Sequence, residues 1–283
     1  MNDVASPIVA AYERDGYYFP YDVTSEREAA ALLADLEAAE AEVAGDKARL
    51  SALRSYPAQL LPSFAALVRH PRLLDAVSQI IGPDVLVWSA GFFIKEPSSK
   101  SYVSWHQDLN YWGLDGADEV TAWYTLTPAT IENGCMRFVP GSHKKNDVPH
   151  VDSFARDNLL TRGQEIAVEV DEASAVNVLL RAGQTSLHHG HIFHASGPNT
   201  TNQRRVGIAI RYVAPSMKQT SGDKLLVSLV KGRDDHGHFE HMPAPVGRLR
   251  DEDFERALRN TEMKKAILYR GVKAELIKET RRA

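Results

Sequence analysis

The spacing of apolar positions along the first part of the chain, residues 1–82, follows the period of an α-helix. Residues 25–44 (SEREAAALLADLEAAEAEVA) are rich in alanine, leucine and glutamate, and their capping-box spacing from Ser25 to Glu28 predicts a helix. Residues 62–82 have the same period but are interrupted at Pro71, which predicts two short helices. We therefore expect the N-terminal part to be helical.

From residue 83 the pattern changes to short runs of β-branched and aromatic residues, separated by Gly, Pro and Asn. Among these runs are DVLVWSAGFFIKE, EVTAWYTLTPA, AVNVLLRAGQTSLHH and RRVGIAIRYVAP, and no helical stretch lies between them. Strands at this density are typical of an antiparallel sandwich or a jelly roll. The sequence predicts a mainly β fold with flanking helices: a β core over 83–215 and a mixed, partly helical part over 216–283. Because no linker separates these parts, a single domain over 1–283 is expected.

Composition narrows the range of functions without selecting one. The 283 residues are 43% hydrophobic and 25% charged with a formal net charge of −4, which gives no general attraction to nucleic acid or to an anionic membrane. The single cysteine, Cys135, excludes an internal disulfide and fits a reducing compartment. No apolar run reaches the roughly 18 residues of a membrane span, and the N-terminus lacks a signal-peptide pattern. We expect a cytoplasmic protein that binds a small molecule, with an oligomeric state that the sequence does not determine.

A histidine and an aspartate stand two positions apart in SWHQD, within a run predicted as a strand. Residues i and i+2 of a strand point to the same face, so His106 and Asp108 are expected to project together. Imidazole and carboxylate suit a divalent metal such as iron(II), and a second histidine would complete a face of two histidines and one carboxylate. Two polar side chains on a solvated strand face are the alternative, and the pair alone does not decide between them.

Candidates for a third ligand follow in SLHHGHIFHASGPN, where four histidines lie within seven residues. His194 is the best of these by context, because it ends a strand-like run and precedes Ser196 and then Arg205. A guanidinium and a hydroxyl beside a metal would hold the far carboxylate of a chelating dicarboxylate such as 2-oxoglutarate. An ordinary ion pair for Arg205 and a turn for Ser196 remain open alternatives.

The segments SWHQD, AWYTLTPATIENGCMRFVPGSHK, GQTSLHHGHIFHASGPN and RRVGIAIRY, in this order, resemble the phytanoyl-CoA dioxygenase-like family of iron(II)/2-oxoglutarate oxygenases. The resemblance implies a double-stranded β-helix core of the jelly-roll or cupin type. It also implies three iron ligands, which are His106, Asp108 and His194. By the same resemblance, Arg205 and Ser196 would hold 2-oxoglutarate.

The resemblance extends to positions around the metal pair. Gln107 and Lys95 match positions where the family often places polar contacts near the cosubstrate. Tyr111 and Trp112 directly follow the pair and could form a wall of the substrate pocket, although packing of an adjacent loop explains them equally well. His188 is a further candidate for a contact with the substrate.

Histidines outside the predicted triad have less specific explanations. A histidine inside a barrel is usually a hydrogen-bonded core residue, and we prefer this interpretation for His189 and His191. The segment KGRDDHGHFEHMP at 231–243 brings three histidines near two aspartates. A second metal site and a loop folded over the barrel mouth are the two interpretations of this segment.

The activity implied by the resemblance uses iron(II), 2-oxoglutarate and O2 to oxidise an unactivated C–H bond of a small metabolite, with release of succinate and CO2. Asp108 stands where halogenating members carry a small residue, so hydroxylation or a related oxidation is favoured over halogenation. One alternative is a non-oxidative metal-dependent cupin, an isomerase or hydrolase, which would not need Ser196 and Arg205. Another is a metal-free jelly-roll binding protein. The identity of the substrate does not follow from the sequence.

Overall fold

The computed structural model of the protein describes residues 6–160 and 162–269. Its α-helices in these ranges are α1 Pro7–Asp15, α2 Glu26–Glu42, α3 Lys47–Ser55, α4 Pro57–Leu60, α5 Pro62–Leu67, α6 Pro71–Ile81, α7 Leu109–Trp112 and α8 Asp251–Leu268. Its strands are β1 Tyr17–Asp22, β2 Val85–Lys95, β3 Val103–His106, β4 Glu119–Thr125, β5 Met136–Phe138, β6 His150–Asp152, β7 Gln164–Ile166, β8 Val176–Asn177, β9 Gln184–His188, β10 His194–Ser196, β11 Arg205–Val213, β12 Leu226–Lys231 and β13 Glu240–His241.

The predicted helices of the N-terminal part are confirmed. Helix α2 begins after Ser25, whose hydroxyl accepts a hydrogen bond from the Glu28 amide while the Glu28 carboxylate accepts one from the Ser25 amide. Helices α5 and α6 are separated at Pro71, as predicted. Helix α8 lies in the predicted C-terminal helical stretch, of which residues 270–283 lie outside the described residues. Within the described ranges, the helices lack the combined length and apolar character that crossing a membrane requires.

Two sheets form the β core. The large sheet has seven strands in the order β1-β9-β4-β11-β2-β12-β13, and the small sheet has four in the order β3-β10-β5-β8. A two-stranded ribbon of β6 and β7 lies in the connection between β5 and β8. Neighbouring strands are antiparallel in both sheets, except that β12 and β13 at one edge of the large sheet are parallel. The predicted mainly β fold with flanking helices and a double-stranded β-helix core is confirmed.

The large sheet extends beyond the predicted range of 83–215. Strand β1 lies in the part predicted as helical and pairs with β9, and β12 pairs with β2. Strand β1 contains Pro20, which interrupts a strand pattern in the sequence. A proline is tolerated there because β1 is an edge strand, where the missing N–H costs no ladder hydrogen bond.

The run AVNVLLRAGQTSLHH, predicted as a single strand, forms β8 in the small sheet and β9 in the large sheet. Gly183 precedes β9 with a positive φ of 87°, and a Cβ atom there would lie 2.6 Å from the Thr24 carbonyl oxygen. Only glycine fits this close approach, so the chain turns from one sheet to the other at this point.

Alternate residues of β11 face opposite sides of the large sheet. Val206, Ile208, Ile210 and Tyr212 are buried in the core that the sheet forms with the N-terminal helices. On the other side, Arg205, Ala209 and Arg211 line a cavity between the two sheets. The helices therefore support the outer face of the strand whose inner face forms the site.

Candidate metal centre

Three potential ligands meet at one end of the small sheet. His106 ends β3 and is paired directly with His194 at the start of β10. Asp108 follows two residues after His106, and its carboxylate Oδ1 lies 3.4 Å from His106 Nε2. One ligand atom from each of the three side chains lies within 4.8 Å of the others, and the residues are 3%, 7% and 6% exposed in chain order.

The structure corrects the reason for which His106 and Asp108 were expected to project together. The strand ends at His106, and Asp108 has helical dihedral angles of −70° and −49° at the start of α7. The two side chains therefore converge because the backbone turns after His106, not because they share one face of a strand. The pair was predicted correctly from an incorrect local geometry.

Backbone carbonyls orient both imidazole rings. His106 Nδ1 lies 2.9 Å from the Ser104 oxygen and 3.1 Å from the His194 oxygen, and His194 Nδ1 lies 3.0 Å from the Ile192 oxygen. A carbonyl oxygen only accepts, so each Nδ1 carries the proton and each Nε2 keeps its lone pair for a metal. Burial lowers the pKa of His194 well below its usual range, which keeps the ring neutral as a ligand must be.

Asp108 supplies the negative charge of the donor set. Burial acts to raise the pKa of its carboxyl, but the charge of Arg211 and the neighbouring histidines outweigh this effect and hold the pKa well below its usual range. Arg211 Nε lies 3.4 Å from Asp108 Oδ2. Two neutral imidazoles and one carboxylate fit a divalent first-row metal such as iron(II), and they leave the remaining coordination positions open.

Ser196 and Arg205 lie in the same cavity as the three potential ligands. The cavity is walled by Phe93, Trp123 and Met136 among others. Arg205 is 1% exposed, and its Nη1 donates to the Gly134 oxygen at 2.7 Å. Its guanidinium lies over the Trp123 ring, 5.2 Å from the centroid.

One donor of Arg205 has no partner, because the buried Nε makes no hydrogen bond with any described residue. A buried unpaired donor is costly, and an anionic oxygen in the cavity would satisfy it. Burial lowers the pKa of Arg205 to about 10, so the side chain remains charged at neutral pH. The position therefore fits the far carboxylate of 2-oxoglutarate.

Neither Lys95 nor Gln107, the two further candidates for a contact near the cosubstrate, lines the cavity itself. Lys95 Nζ donates to Ser196 Oγ at 2.7 Å and also to the Gly197 oxygen, so it lies behind the serine. With its oxygen accepting from Lys95, the Ser196 hydroxyl can donate its own proton into the cavity. Burial, reinforced by the charge of Arg205, lowers the pKa of Lys95 to about 6.

Gln107 is fully buried, and its side chain bonds only to backbone. Its Nε2 donates to the oxygens of Asn146 and His191 at 2.6 and 2.8 Å, and its Oε1 accepts from the Val148 amide at 3.0 Å. These bonds tie the segment after Gly141 to the strand that carries His106. The Gln107 side chain thus fixes these backbone segments next to the metal ligands.

The three candidates for substrate contact occupy different places. His188 lines the cavity, is 1% exposed, and its Nδ1 has no partner among the described residues. Trp112 instead stacks on Trp88 with 5.0 Å between ring centroids, inside an apolar cluster. Tyr111 lines a separate surface pocket, where it contacts His150. Neither of these two aromatic residues lines the cavity of the metal ligands.

Sequence reasoning missed Arg211, the second guanidinium of the cavity. Arg211 stands six positions after Arg205, so the alternation of β11 places both on the inner face. The intervening inner positions are Gly207 and Ala209, and a Cβ atom at Gly207 would lie 2.2 Å from the Trp123 ring. The signal was therefore present in RRVGIAIRY as two arginines separated by small residues at alternate positions.

A second metal site in 231–243 receives no support from the described part of the chain. Among the described residues, the single group of three potential metal ligands is His106, Asp108 and His194, all outside this segment. His241, in β13, instead has its Nε2 2.8 Å from Asp234 Oδ2. The preferred interpretation of the surplus histidines also fits, since His189 and His191 are largely buried and do not line the cavity.

Comparison with known sequences identifies the family. Residues 12–207 match the sequence model of the phytanoyl-CoA dioxygenase (PhyH) family. The chain is 32% identical over 150 residues to the ectoine dioxygenase of Bordetella parapertussis, covering 48% of this chain and 49% of that protein. It is 28% identical over 152 residues to a probable alpha-ketoglutarate-dependent hypophosphite dioxygenase of Stutzerimonas stutzeri, covering 53% of this chain and 52% of that protein. The chain thus spans about half the length of the curated relatives it matches.

Solved structures extend the likeness to the whole fold. The apo form of ThoJ, described as a non-heme monooxygenase, superposes with a TM-score of 0.84 at 35% identity, covering 93% of this chain and 98% of ThoJ. CytC3 with Fe(II) and alpha-ketoglutarate superposes with a TM-score of 0.63 at 20% identity, covering 84% of this chain and 93% of CytC3, which shows the fold alone.

The family match, the fold and the buried group of three ligands agree. The chain belongs to the phytanoyl-CoA dioxygenase family, and the relatives it matches include an ectoine dioxygenase and a dioxygenase described as alpha-ketoglutarate-dependent. The resemblance noted in the sequence is confirmed. The predicted cofactor set of iron(II), 2-oxoglutarate and O2 is confirmed with it, and the buried triad described above is the possible metal site.

Proposed function

We propose that the protein hydroxylates an unactivated C–H bond of a small molecule, with iron(II) held by His106, Asp108 and His194. The observation that supports this most strongly is the unpaired, buried Nε of Arg205 in the same cavity as the three ligands. A metal site alone is compatible with many reactions. A buried arginine with an unused donor in the same cavity favours a reaction in which a carboxylate also binds in that cavity.

The side chains of the cavity position the reactants and exclude water. Arg205 and the Ser196 hydroxyl would bind the far carboxylate of 2-oxoglutarate, and Gly134 and Trp123 fix the guanidinium. Bound iron(II) and 2-oxoglutarate supply, with O2, an oxidant strong enough for an unactivated C–H bond, with release of succinate and CO2. Apolar walls around the site protect that chemistry from solvent. His188 remains a candidate for substrate contact.

Hydroxylation is favoured over other oxidations by the relatives, and over halogenation by Asp108. The ectoine dioxygenase and an L-proline trans-4-hydroxylase are named for small-molecule substrates, and ThoJ is described as a monooxygenase. The same fold also serves an epimerase and a carbocyclase, SnoN and SnoK. We further propose a cytoplasmic location, in keeping with the single cysteine.

An anaerobic titration tests the proposal. The metal-free protein is titrated with iron(II) and then with 2-oxoglutarate while the weak visible charge-transfer band of the chelated complex is followed. We expect the band in the wild-type protein and in an Arg204→Ala control. Arg204 is next in sequence to Arg205, but it pairs with Glu40 and Glu96 on the outer side. The Arg205→Ala variant is expected to lose the band.

Each other result selects a different function. Iron binding without a band in the wild type would support the non-oxidative cupin, and no iron binding would support the metal-free binding protein. Succinate release in air, together with a product that has gained one oxygen atom, separates hydroxylation from epimerisation or ring closure.

A further inference from the structure

The two arginines of the cavity differ in their partners. The Arg205 side chain is almost fully buried and is anchored to the Gly134 carbonyl. The Arg211 side chain is 15% exposed and makes one hydrogen bond, from Nε to Asp108 Oδ2 at 3.4 Å. Within the described ranges, its two terminal Nη nitrogens have no hydrogen-bond partner. Arg211 thus presents unused donors in a cavity that is otherwise mostly apolar.

Aromatic rings hold the Arg211 guanidinium in a fixed plane. Its central carbon lies 5.9 Å from the Phe93 ring centroid and 5.4 Å from that of Trp112. Trp112 is itself held by stacking on Trp88 at 5.0 Å. A guanidinium restrained in this way loses little freedom when it binds a planar oxyanion in bidentate fashion. Trp112 therefore contributes to the cavity by supporting Arg211.

The charges of the site leave Arg211 in surplus. With iron(II) and 2-oxoglutarate bound, the two charges of the metal and that of Arg205 balance the cosubstrate dianion and the Asp108 carboxylate. The other nearby acid, Glu119, is fully buried and accepts a hydrogen bond from the Gly190 amide at 2.6 Å. Burial raises the pKa of Glu119 well above its usual range, which favours its uncharged form. One positive charge therefore remains, on a side chain with free donors.

We propose that Arg211 binds a carboxylate or a similar singly charged oxyanion of the primary substrate, so that the enzyme selects anionic small molecules. This inference rests on the proposed function. Because Arg211 also contacts a metal ligand, the bound anion would be held close to the metal, where a C–H bond a few atoms away can be oxidised. A role limited to positioning Asp108 would give no preference between charged and neutral ligands.

Matched pairs of small probes test the preference directly. The protein is loaded anaerobically with iron(II) and 2-oxoglutarate, and calorimetry measures the binding of benzoate against benzamide and of hexanoate against hexanamide. Each pair differs in charge and little in shape. We expect the carboxylates to bind roughly tenfold or more tightly than the amides in the wild type, as a charge-assisted bidentate contact predicts.

Three variants assign that preference to one side chain. Arg211→Gln is expected to abolish it, and Arg211→Lys, which keeps the charge without the planar fork, is expected to keep part of it. Arg233→Gln removes an exposed arginine that pairs with Asp235 and is expected to keep the full preference. Circular dichroism and the charge-transfer band establish that each variant is folded and loaded, and Arg211→Lys carries the comparison if the glutamine variant is not.

The outcomes separate this inference from the function on which it rests. Equal binding of acids and amides by a wild-type protein that shows the charge-transfer band would overturn the role of Arg211 and leave the proposed function intact. A preference that survives in Arg211→Gln would overturn it as well. Absence of the band in the wild type would overturn both.

Discussion

The two sheets of the core supply different halves of the site. The small sheet contributes the two histidines, from strands of four and three residues. The large sheet contributes Arg205 and Arg211 from the nine-residue strand β11, whose outer face packs on the N-terminal helices. The histidines are oriented by nearby backbone carbonyls, so short strands suffice for them. The guanidiniums are oriented by aromatic rings and a distant carbonyl, which requires a long and well-supported strand.

This division implies that binding of the metal and binding of anions are separable. The metal ligands depend on the turn after β3 and on β10, whereas the anion-binding groups depend on β11 and its neighbours. Asp108 and Arg211 form the direct contact between the two halves, at 3.4 Å. A substitution in the small sheet should therefore weaken metal binding first, and a substitution in the large sheet should weaken anion binding first.

The largest expected effect is the loss of a metal ligand from the small sheet. His106→Ala should lower iron(II) affinity by more than roughly a hundredfold, because loss of a mere supporting partner already costs about 10–100-fold. Turnover should disappear while the fold survives, because Asp108 stays paired with Arg211 and no buried charge is left without a partner. Calorimetric titration with iron(II) measures the affinity of His106→Ala, and Arg205→Met, titrated in parallel, is the comparison from the large sheet. The comparison of the sheets is wrong if Arg205→Met, on the large sheet, loses iron affinity to the same extent.

A smaller effect is expected where the two sheets meet behind Arg205. Gly134 has a φ of 74°, and a Cβ atom there would lie 2.1 Å from the Gly197 oxygen. Its own carbonyl accepts from Arg205 and from Lys95. Gly134→Ala should destabilise the fold by about 1–3 kcal/mol, as strained backbone positions do. It should also weaken 2-oxoglutarate binding more than iron binding.

A matched control exists for this substitution. An added Cβ at Gly45 meets no atom within 4 Å, so Gly45→Ala should change stability by less than about 0.5 kcal/mol. Urea unfolding measures both variants. Equal stability of the two would show that the carbonyl of Gly134 can move without loss, and that Arg205 is not fixed from the small-sheet side.

The sequence predicted those parts of the site that depend on residue type and order. His106, Asp108, His194 and Arg205 were identified by donor chemistry and by a family pattern, and the structure brings all four to one cavity. Arg211 was missed although the alternation of β11 indicates it. The sequence does not show which face of β11 the helices cover. Only once that face is known can both arginines be assigned to the opposite face, which lines the cavity.

The contacts that hold Gln107 and Lys95 are distant in sequence, so the sequence alone did not reveal them. Gln107 has the residue type expected of a cosubstrate contact, yet its amide bonds the Asn146 carbonyl 39 positions away. Lys95 likewise reaches Ser196 across 101 positions. Local pattern carries no information about such partners. Strand β1 was missed because its pairing with β9 overrides the local signal of Pro20.

The smallest predicted effect at neutral pH is on protein stability, and it comes from His189 in the segment that joins the two sheets. His189 lies between β9 and β10, with His143 and His191 ring centroids 5.4 and 5.3 Å away and its Nδ1 3.7 Å from Glu119 Oε1. Burial, together with the neighbouring histidines, lowers the pKa of His189 to about 3. Because the unfolded chain has the ordinary value near 6.5, it binds a proton below that pH while the folded protein does not.

The sign of the effect follows from this difference. The contribution of His189 to stability is complete above pH 6.5 and is lost as the pH falls toward 3, by up to about 1.4 kcal/mol per pH unit. Burial raises the pKa of Glu119, which acts in the opposite direction, so the informative quantity is the difference between the wild type and His189→Gln. Urea unfolding from pH 7 to 4 should show a shallower loss of stability in His189→Gln than in the wild type. The control is His236→Gln, which replaces an exposed histidine and should follow the wild-type curve. Parallel curves for the wild type and His189→Gln would mean that the connection between the sheets opens to solvent before the protein unfolds, and that the two halves of the site are less rigidly joined than their packing indicates.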